Sequence, residues 1–451
     1  MNVPAGVHTM LETAATADIY RRTGTVVRST GELVTARGIN LRPGELAFVD
    51  DPSGRPTAVQ ATGSRGAESI LAVLDRSVVT AGARVTASGA VASAPTGQAV
   101  LGRVIDALGR PLDGGFDLSG ARWMPSRAEP PDPLTRRPIS HALATGVRVV
   151  DGLLTIGRGQ RVGVFAGSGV GKSTLLGMMA RGTSADVNVI ALVGERGREV
   201  RDFLERDLGP EALKHSVVVA ATGDTPAAMR ICAANAATAI AEGFRDDGLD
   251  VLLLFDSLTR VAIAQREVGL AAGEPPATRG YPPSVFSSLP HLMERSGPGS
   301  TGSVTAVYTI LVDADDMEDP IADLARATLD GHIVLDRGLA NAGQYPPVNV
   351  LASVSRLMPR LVDGPHGRAA RRVRALLAAY DDARDLINIG AYVRGSNPDV
   401  DRAIELMPQI KALLSQEAGD ISSFDAVVAE LMVLAGEPAA EPQPIEGEVV
   451  E

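Results

Sequence analysis

The sequence has 451 residues, of which 45% are hydrophobic, 22% are charged and only 3% are aromatic. This is about three times the length of an average domain, so we expect two or three domains with a large buried core. The 43 basic and 54 acidic residues give a net charge of −11, which argues against an extended nucleic-acid surface, and the few aromatic side chains argue against stacking on single-stranded bases. The single cysteine, Cys232, excludes an intrachain disulfide and a cysteine-clustered metal site.

The N-terminal segment lacks the features of a secretion signal. Residues 1–18 have no basic segment before a long apolar run, and no stretch of the chain reaches the roughly 18 apolar residues of a membrane span. We therefore expect a cytoplasmic protein whose association with a membrane is peripheral. Apolar residues in segment 1–20 lie at roughly helical spacing, so this segment is interpreted either as a frayed terminus or as a partner-binding helix.

Residues 21–98 have the pattern of a small β-domain. Apolar and polar residues alternate in the segments 23–36, 44–61 and 67–74, between turn residues such as glycine, aspartate and proline. Short strands that follow each other so closely along the chain predict a small closed barrel.

Residues 99–367 open with a stretch rich in Pro, Gly and Arg, and then apolar strands alternate with helical segments from about Thr145. The strand-length runs are RVGVFA, NVIALVG, HSVVVAATG, LDVLLLFD and SVTAVYTILV. Continuous apolar strands that alternate with helices predict an α/β core, in which helices cover both faces of a parallel sheet. Residues 368–436 predict a helical C-terminal domain, and the acidic, Pro-rich residues 437–451 predict a disordered tail.

The strongest motif begins at Ala166, directly after the strand RVGVF and before the segment STLLGMMA. Its glycines allow backbone amides to turn toward phosphate oxygens, and the N-terminus of the following helix adds the positive end of a dipole. Lys172 can then reach the β- and γ-phosphates of a nucleotide, and the Ser173 hydroxyl can bind Mg²⁺. The predicted nucleotide-binding residues of this loop are Gly167, Ser168, Gly169, Val170, Gly171, Lys172, Ser173 and Thr174.

Two acidic residues follow other predicted strands. Asp256 ends LDVLLLFD, where its carboxylate can hold Mg²⁺ together with Ser173, either directly or through water. Glu195 follows NVIALVG, and the residues leave two interpretations open: Glu195 orients the attacking water, or Glu195 or Glu199 simply forms an ion pair with Arg196 or Arg198. An arginine would also stabilise charge on the transferred phosphoryl group, but the sequence pattern alone does not select one of the many arginines.

At these residues the chain resembles a known family. The segments GVFAGSGVGKSTLLGMMAR, GERGREVRDFLERDLGPE, LDGHIVLDRGLA and YPPVNVLASVSR are similar to those of the type III protein-export ATPases, most of all to the flagellum-specific branch. They are more distantly similar to the catalytic subunit of the rotary ATP synthases. The resemblance extends from about residue 20 to residue 435.

The resemblance implies a RecA-like P-loop NTPase core between a small β-barrel and a helical C-terminal domain. It further implies a homohexameric ring that binds ATP and Mg²⁺ between subunits. In such a ring Glu195 would activate water, and Arg356 would reach into the site of the neighbouring subunit as an arginine finger. Arg196 would contact phosphate or link the site to the interface, Tyr345 would pack against adenine, and Arg260 would contribute a supporting ion pair.

The resemblance also implies a role and partners. The role is an ATP-hydrolysing motor for flagellar type III protein export, at the inner face of the bacterial cell membrane. The partners are a stator-like regulatory protein, a stalk-like coiled-coil protein, membrane proteins of the export gate and chaperone–cargo complexes, but no nucleic acid. Alternative interpretations are an injectisome secretion ATPase, a subunit of a proton-translocating rotary ATPase, an RNA translocase and an inert nucleotide-binding scaffold.

Overall fold

A computed structural model describes residues 21–51, 54–115, 118–312 and 319–437. In chain order these residues form a β-barrel, a central α/β unit and a group of C-terminal helices. The predicted partner-binding segment 1–20 and residues 438–451 of the predicted tail lie outside the described residues.

The first part is a closed antiparallel barrel of six strands, which confirms the predicted barrel. Its strands are β1 (Thr23–Thr30), β2 (Leu33–Arg37), β3 (Glu45–Val49), β4 (Thr57–Arg65), β5 (Glu68–Val73) and β6 (Arg84–Val91). They are arranged in the order β1-β2-β5-β4-β3-β6, and β6 pairs with β1 to close the barrel. Because side chains alternate between the two faces of a strand, small apolar residues such as Val26, Ala47 and Leu71 fill the interior.

Short strands connect the barrel to the core. They are β7 (Ser93–Thr96), β8 (Val104–Ile105), β9 (Arg122–Pro125), β10 (Ala142–Leu143) and β11 (Ile156–Gly157). β7 pairs with β9 and β10 pairs with β11, in two small antiparallel sheets, whereas β8 joins the edge of the large sheet. The linker is therefore built into the core rather than lying apart from it.

The second part is a central sheet of nine strands. Besides β8 it contains β12 (Arg161–Ala166), β13 (Val187–Val193), β14 (Ser216–Ala221), β15 (Asp250–Asp256), β16 (Gly297–Pro298), β17 (Ser303–Leu311), β18 (Gly331–Leu335) and β19 (Val348–Ser355). The order is β19-β18-β12-β17-β15-β13-β14-β8, with β16 paired to β17. β19 and β16 are antiparallel to their neighbours and the remaining pairs are parallel.

Helices cover both faces of this sheet, as the continuous apolar strands predict. Successive residues of β15 show the two faces: Leu253 packs in one buried cluster with Ala237, whereas Leu254 packs in the other with Leu175 and Val373. The helices of the core are Arg148–Leu153, Lys172–Gly182, Gly197–Asp202, Gly209–Lys214, Ala227–Asp246, Leu258–Ala271, Pro283–Glu294, Pro320–Thr328, Arg337–Asn341 and Met358–Leu361, with a π-helical segment at Phe203–Leu208. The predicted α/β fold class is confirmed.

The third part consists of the helices Gly364–Asn388, Pro398–Leu414 and Phe424–Ala435. The first of them begins four residues before the predicted boundary at residue 368. The reason is local: the Asp363 side chain accepts a hydrogen bond from the backbone amide of His366, and Pro365 occupies the first turn. None of the helices in the described ranges has the length and apolar character of a membrane span.

Candidate nucleotide site

The predicted phosphate loop joins β12 to helix Lys172–Gly182 at the carboxyl edge of the central sheet. Gly169 and Gly171 have φ angles of 76° and 100°, a left-handed conformation that glycine adopts without steric cost. Gly171 is the N-cap, and it has no side chain that could bond the amides of the first helical turn. Those amides therefore remain available to a bound anion, as a phosphate site requires.

The Lys172 side chain lies between two carboxylates. Its Nζ donates hydrogen bonds to Oδ1 of Asp256 and, at 3.4 Å, to Oε1 of Glu195, and only 11% of the side chain is exposed. Burial by itself lowers the pKa of Lys172, but the attraction of the two carboxylates outweighs it, and the net effect raises this pKa. Lys172 is thus a fixed cation at the mouth of the loop.

Asp256 ends β15 beside the phosphate loop. Its Oδ1 also accepts a hydrogen bond of 2.8 Å from the Thr309 hydroxyl on the neighbouring strand β17. The Asp256 carboxylate and the Ser173 hydroxyl are hard oxygen ligands of the kind that Mg²⁺ prefers. In the part of the chain that the structure describes, no group of three or more His, Cys, Asp or Glu side chains could hold a metal by itself. The residues present fit Mg²⁺, because this ion is commonly bound by few protein ligands together with nucleotide phosphates.

Glu195 reaches the same edge of the sheet because β13 and β15 are paired in parallel. The preceding Gly194 has a φ of 79°, and a Cβ at this position would lie 2.6 Å from the Cβ of Arg260. Glycine therefore allows Arg260 to approach Glu195 closely. Burial raises the pKa of Glu195 to about 7, Lys172 opposes this shift, and the nearby Asp256 adds to it. A carboxyl group with this pKa can accept a proton at neutral pH.

The two arginines after Glu195 form ion pairs with acidic residues that follow them in the chain. Arg196 and Arg198 pair within the described chain with Glu199 and Asp202, at 3.3 Å each, rather than with Glu195. Glu199 in turn forms a side-chain hydrogen bond with Glu195, and this bond lowers the pKa of Glu199. The Arg196 side chain is 87% exposed, so the fold does not bring it to the cluster around the phosphate loop.

Tyr345 borders a pocket of about 360 Å³ next to the phosphate loop. The pocket is also lined by Thr174, Leu175 and Met178 of the phosphate-loop helix and by Ser415, Gln416, Glu417, Ala418 and Asp420 of the C-terminal part. The backbone amide of Gln416 donates a 2.8 Å hydrogen bond to the Tyr345 carbonyl, which ties Tyr345 to the C-terminal part. The Tyr345 side chain is 52% exposed. The pocket is open and partly apolar, as suits a nucleobase.

Arg356 lies at the other edge of the sheet. β19 begins three residues after Tyr345, runs antiparallel to β18 and ends directly before Arg356. Eight residues span seven rises of about 3.3 Å, which places the ends of β19 roughly 23 Å apart. The exposed Arg356 is therefore separated from the phosphate loop of its own chain, at the outermost strand of the sheet.

The structure adds two residues that the sequence analysis did not assign. The guanidinium of Arg337 donates a 3.1 Å hydrogen bond to the carbonyl of Ser168, within the phosphate loop. Thr309 holds the Asp256 carboxylate. Thr309 is a polar residue within the apolar run SVTAVYTILV, and this exception could have indicated a role at the site. Nothing local in the sequence indicates the contact of Arg337.

Comparisons with known proteins agree with this geometry. Residues 146–355 match the ATP synthase alpha/beta family, nucleotide-binding domain, and residues 362–433 match the T3SS EscN ATPase C-terminal domain. The flagellum-specific ATP synthase of Bacillus subtilis is 50% identical over 423 residues, which are 93% of this chain and 96% of that protein. The type 3 secretion system ATPase of Xanthomonas euvesicatoria is 48% identical over 415 residues, 91% of this chain and 93% of that protein.

A solved structure has the same fold. The assembled ATPase EscN in complex with its central stalk EscO, from the type III secretion system of enteropathogenic E. coli, matches with a TM-score of 0.84 and 43% identity. The match covers 91% of this chain and 100% of that chain. The chain therefore belongs to the ATP synthase alpha/beta family, in the branch of type III export ATPases that includes flagellar and secretion-system members.

Proposed function

We propose that this chain is the Mg²⁺-dependent ATPase that drives flagellar type III protein export. One observation carries the proposal: Lys172, Glu195 and Asp256 meet at the phosphate loop of a chain that is 50% identical to a flagellum-specific ATP synthase. A buried cation between two carboxylates, one of which has a pKa near neutrality, is suited to phosphoryl transfer to water.

ATP binding uses the loop and the pocket beside it. The backbone amides of residues 167–174 hold the phosphates, Lys172 turns from its carboxylate partners to the β- and γ-phosphates, and Tyr345 packs against adenine. Ser173 and Asp256 would hold Mg²⁺, which when bound would neutralise charge on the phosphate oxygens.

Hydrolysis uses Glu195 as a general base. Its carboxylate accepts a hydrogen bond from a water molecule, orients the water oxygen toward the γ-phosphorus and takes its proton. The new bond joins that oxygen to the γ-phosphorus, and the bond from the γ-phosphorus to the bridging oxygen breaks, so that ADP leaves with the electron pair. Among the described residues, the buried Nε of Arg260 has no hydrogen-bond partner, and the charge of Arg260 acts to lower the pKa of the nearby Glu195.

Completion of the site needs a second subunit. Arg356 is exposed at the amino edge of the sheet, directly after β19, a strand about 23 Å long that begins three residues after Tyr345. Its guanidinium therefore serves the site of the next subunit in a homohexameric ring, where it stabilises the charge of the transition state. The solved relative EscN is likewise an assembly, and it binds a central stalk protein.

The ring acts at the cytoplasmic face of the cell membrane. Its partners there are a stalk-like coiled-coil protein, a stator-like regulatory protein, export-gate membrane proteins and chaperone–cargo complexes. ATP binding closes each interface and hydrolysis relaxes it, so the cycle can move the helical C-terminal domains against their cargo.

The test is made in a flagellated bacterium that lacks its own export ATPase. We expect the wild-type chain to restore flagellin secretion and motility, and we expect the Glu195→Gln variant to express without restoring either. The purified protein should hydrolyse ATP only with Mg²⁺ and without stimulation by RNA. Absence of secretion at wild-type expression levels, together with full ATPase activity, would refute the flagellar assignment while preserving the enzyme.

The injectisome is the second candidate, because a type 3 secretion system ATPase matches nearly as well, at 48% identity. The wild-type chain and the Glu195→Gln variant should then be introduced into a strain whose secretion ATPase is deleted. Restoration of injectisome secretion without restoration of motility would favour this candidate.

A further inference from the structure

The phosphate loop and Arg356 belong to different active sites of the ring, yet the strands that carry them meet at one residue. Asp330 directly precedes β18, which lies between β12 and β19 in the sheet. β12 leads to the phosphate loop and β19 leads to Arg356. Asp330 therefore lies between the first residue of β12 and the last residue of β19.

The side chain of Asp330 is bound to the first residue of β12. Its Oδ2 accepts hydrogen bonds from the backbone amide of Arg161 at 3.1 Å and from Nε of Arg161 at 3.2 Å. The backbone amide of Asp330 also donates a 2.9 Å hydrogen bond to the Arg161 carbonyl. The pair is largely shielded from water, with 14% of the Arg161 side chain and 26% of the Asp330 side chain exposed. Shielding strengthens the attraction between the two charges.

The carbonyl of Asp330 is bound to the segment that carries the finger. It accepts a hydrogen bond of 3.1 Å from the backbone amide of Arg356 and one of 3.3 Å from Nε2 of Gln160. The same Gln160 amide lies 3.4 Å from Oγ of Ser355. The backbone of Arg356 is thus fixed through Asp330, while its guanidinium donates, within the described chain, a 3.1 Å hydrogen bond to the carbonyl of Arg326.

We propose that Asp330 is a positioning residue for Arg356, and that its carboxylate, anchored on Arg161, sets where the finger stands at the neighbouring site. The proposal rests on the function proposed above. Loss of the Asp330 charge frees the turn before β18, and the carbonyl that holds the Arg356 backbone moves with that turn. The defect then appears in the site of the adjacent subunit and not in the site of the chain that carries the substitution.

The test mixes Asp330→Asn subunits with subunits of known defect, and it determines whether Asp330→Asn impairs the phosphate site of its own chain or the finger that serves the neighbouring site. Lys172→Ala subunits keep a finger but lack a working phosphate loop, and Arg356→Ala subunits have the opposite defect. We expect Asp330→Asn alone to lower kcat about 10- to 100-fold, with little change in KM and with wild-type nucleotide binding by the monomer. Mixed in equal amounts with Lys172→Ala, it should regain activity well above the sum of the two variants, because about a quarter of the interfaces in a random ring are then intact.

The opposite pattern overturns the proposal. Recovery of activity in mixtures of Asp330→Asn with Arg356→Ala would place the defect in the chain's own phosphate site, and recovery in neither mixture would indicate a general structural role. Arg161→Gln removes the guanidinium that binds the Asp330 carboxylate. It should also regain activity when mixed with Lys172→Ala and not when mixed with Arg356→Ala. It serves as the second variant if Asp330→Asn does not fold.

A matched control separates positioning from the loss of any ion pair. Asp250 lies at the same edge of the sheet, begins β15 and pairs with Arg158 at 2.5 Å, but it does not contact β18 or β19. Asp250→Asn should retain a near-normal kcat. Failure of Lys172→Ala and Arg356→Ala to restore each other would refute the in-trans finger itself, an outcome distinct from failure of the role of Asp330.

Discussion

The functional side chains at the two edges of the central sheet are held in different ways. At the carboxyl edge Lys172, Glu195 and Asp256 are buried and compensate each other, so this half of the site is formed within one chain. At the amino edge the guanidinium of Arg356 is exposed, and the described chain binds it through one backbone carbonyl. Buried charges need partners in the same chain, because removing an unpaired charge from water costs free energy. An exposed cation remains hydrated and can form its ion pair with another subunit. The comparison predicts separable defects in binding, chemistry and assembly.

The largest effect is expected at the carboxyl edge, with Lys172→Ala. The substitution removes the cation between Asp256 and Glu195, leaves two carboxylates without their shared partner and removes the main contact to the β- and γ-phosphates. We expect no measurable turnover and strongly weakened ATP binding, followed by phosphate release and by titration with a fluorescent nucleotide. Lys214→Ala, which removes an exposed lysine paired with Glu211, is the control. Substantial turnover in Lys172→Ala would refute the assignment of the ATP site to the carboxyl edge of the sheet.

Glu195→Gln should separate chemistry from binding at the same edge. We expect kcat to fall by up to about 10⁴-fold while ATP still binds, because the amide cannot take the proton of water. In the wild type, the raised pKa of about 7 means that the base is protonated below this pH, so kcat/KM should rise with pH through about 7 and then level off. The residual activity of Glu195→Gln should lack this rise. The exposed Glu205, which pairs with Arg201, provides the control Glu205→Gln.

Arg356→Ala tests the amino edge. Nucleotide binding by the monomer should be unchanged, and activity of the assembled ring should fall about 10³-fold, as for other arginine fingers. The measurement is phosphate release as a function of protein concentration, together with light scattering to verify assembly. Arg360→Ala, four residues further along and also exposed, should be nearly silent. Full activity of rings of Arg356→Ala would remove the distinction between the two edges.

The smallest effect is expected at Tyr345, where β19 approaches the nucleotide pocket. Tyr345→Ala removes one flat wall from a pocket that stays open, so we expect KM for ATP to rise about tenfold with kcat nearly unchanged. Tyr345→Phe retains the ring and should behave as the wild type. Steady-state kinetics of the two variants gives the comparison, and equal KM values would show that the ring does not contact adenine.

Much of the fold could be predicted because its signals are local. The barrel strands, the alternating core elements and the C-terminal helices follow from periodicity within short windows, and the phosphate loop is one continuous segment. The first C-terminal helix starts at Gly364, four residues before the domain boundary predicted at residue 368, because the Asp363 side chain caps it there. Arg196 shows the limit of adjacency: it neighbours Glu195 in the chain, yet its side chain lies in solvent.

The sequence by itself determined the phosphate loop, the order of the elements and the kinds of residue that a nucleotide site requires, because each of these depends on residues close together in the chain. Only the tertiary structure decided which of them meet. The contact of Lys172 with Asp256 joins residues 84 apart, and that of Arg161 with Asp330 joins residues 169 apart. Both contacts depend on the order of strands in the sheet, which is set by the packing of the whole core. The same packing places Arg356 at the far edge, where its charge faces outward.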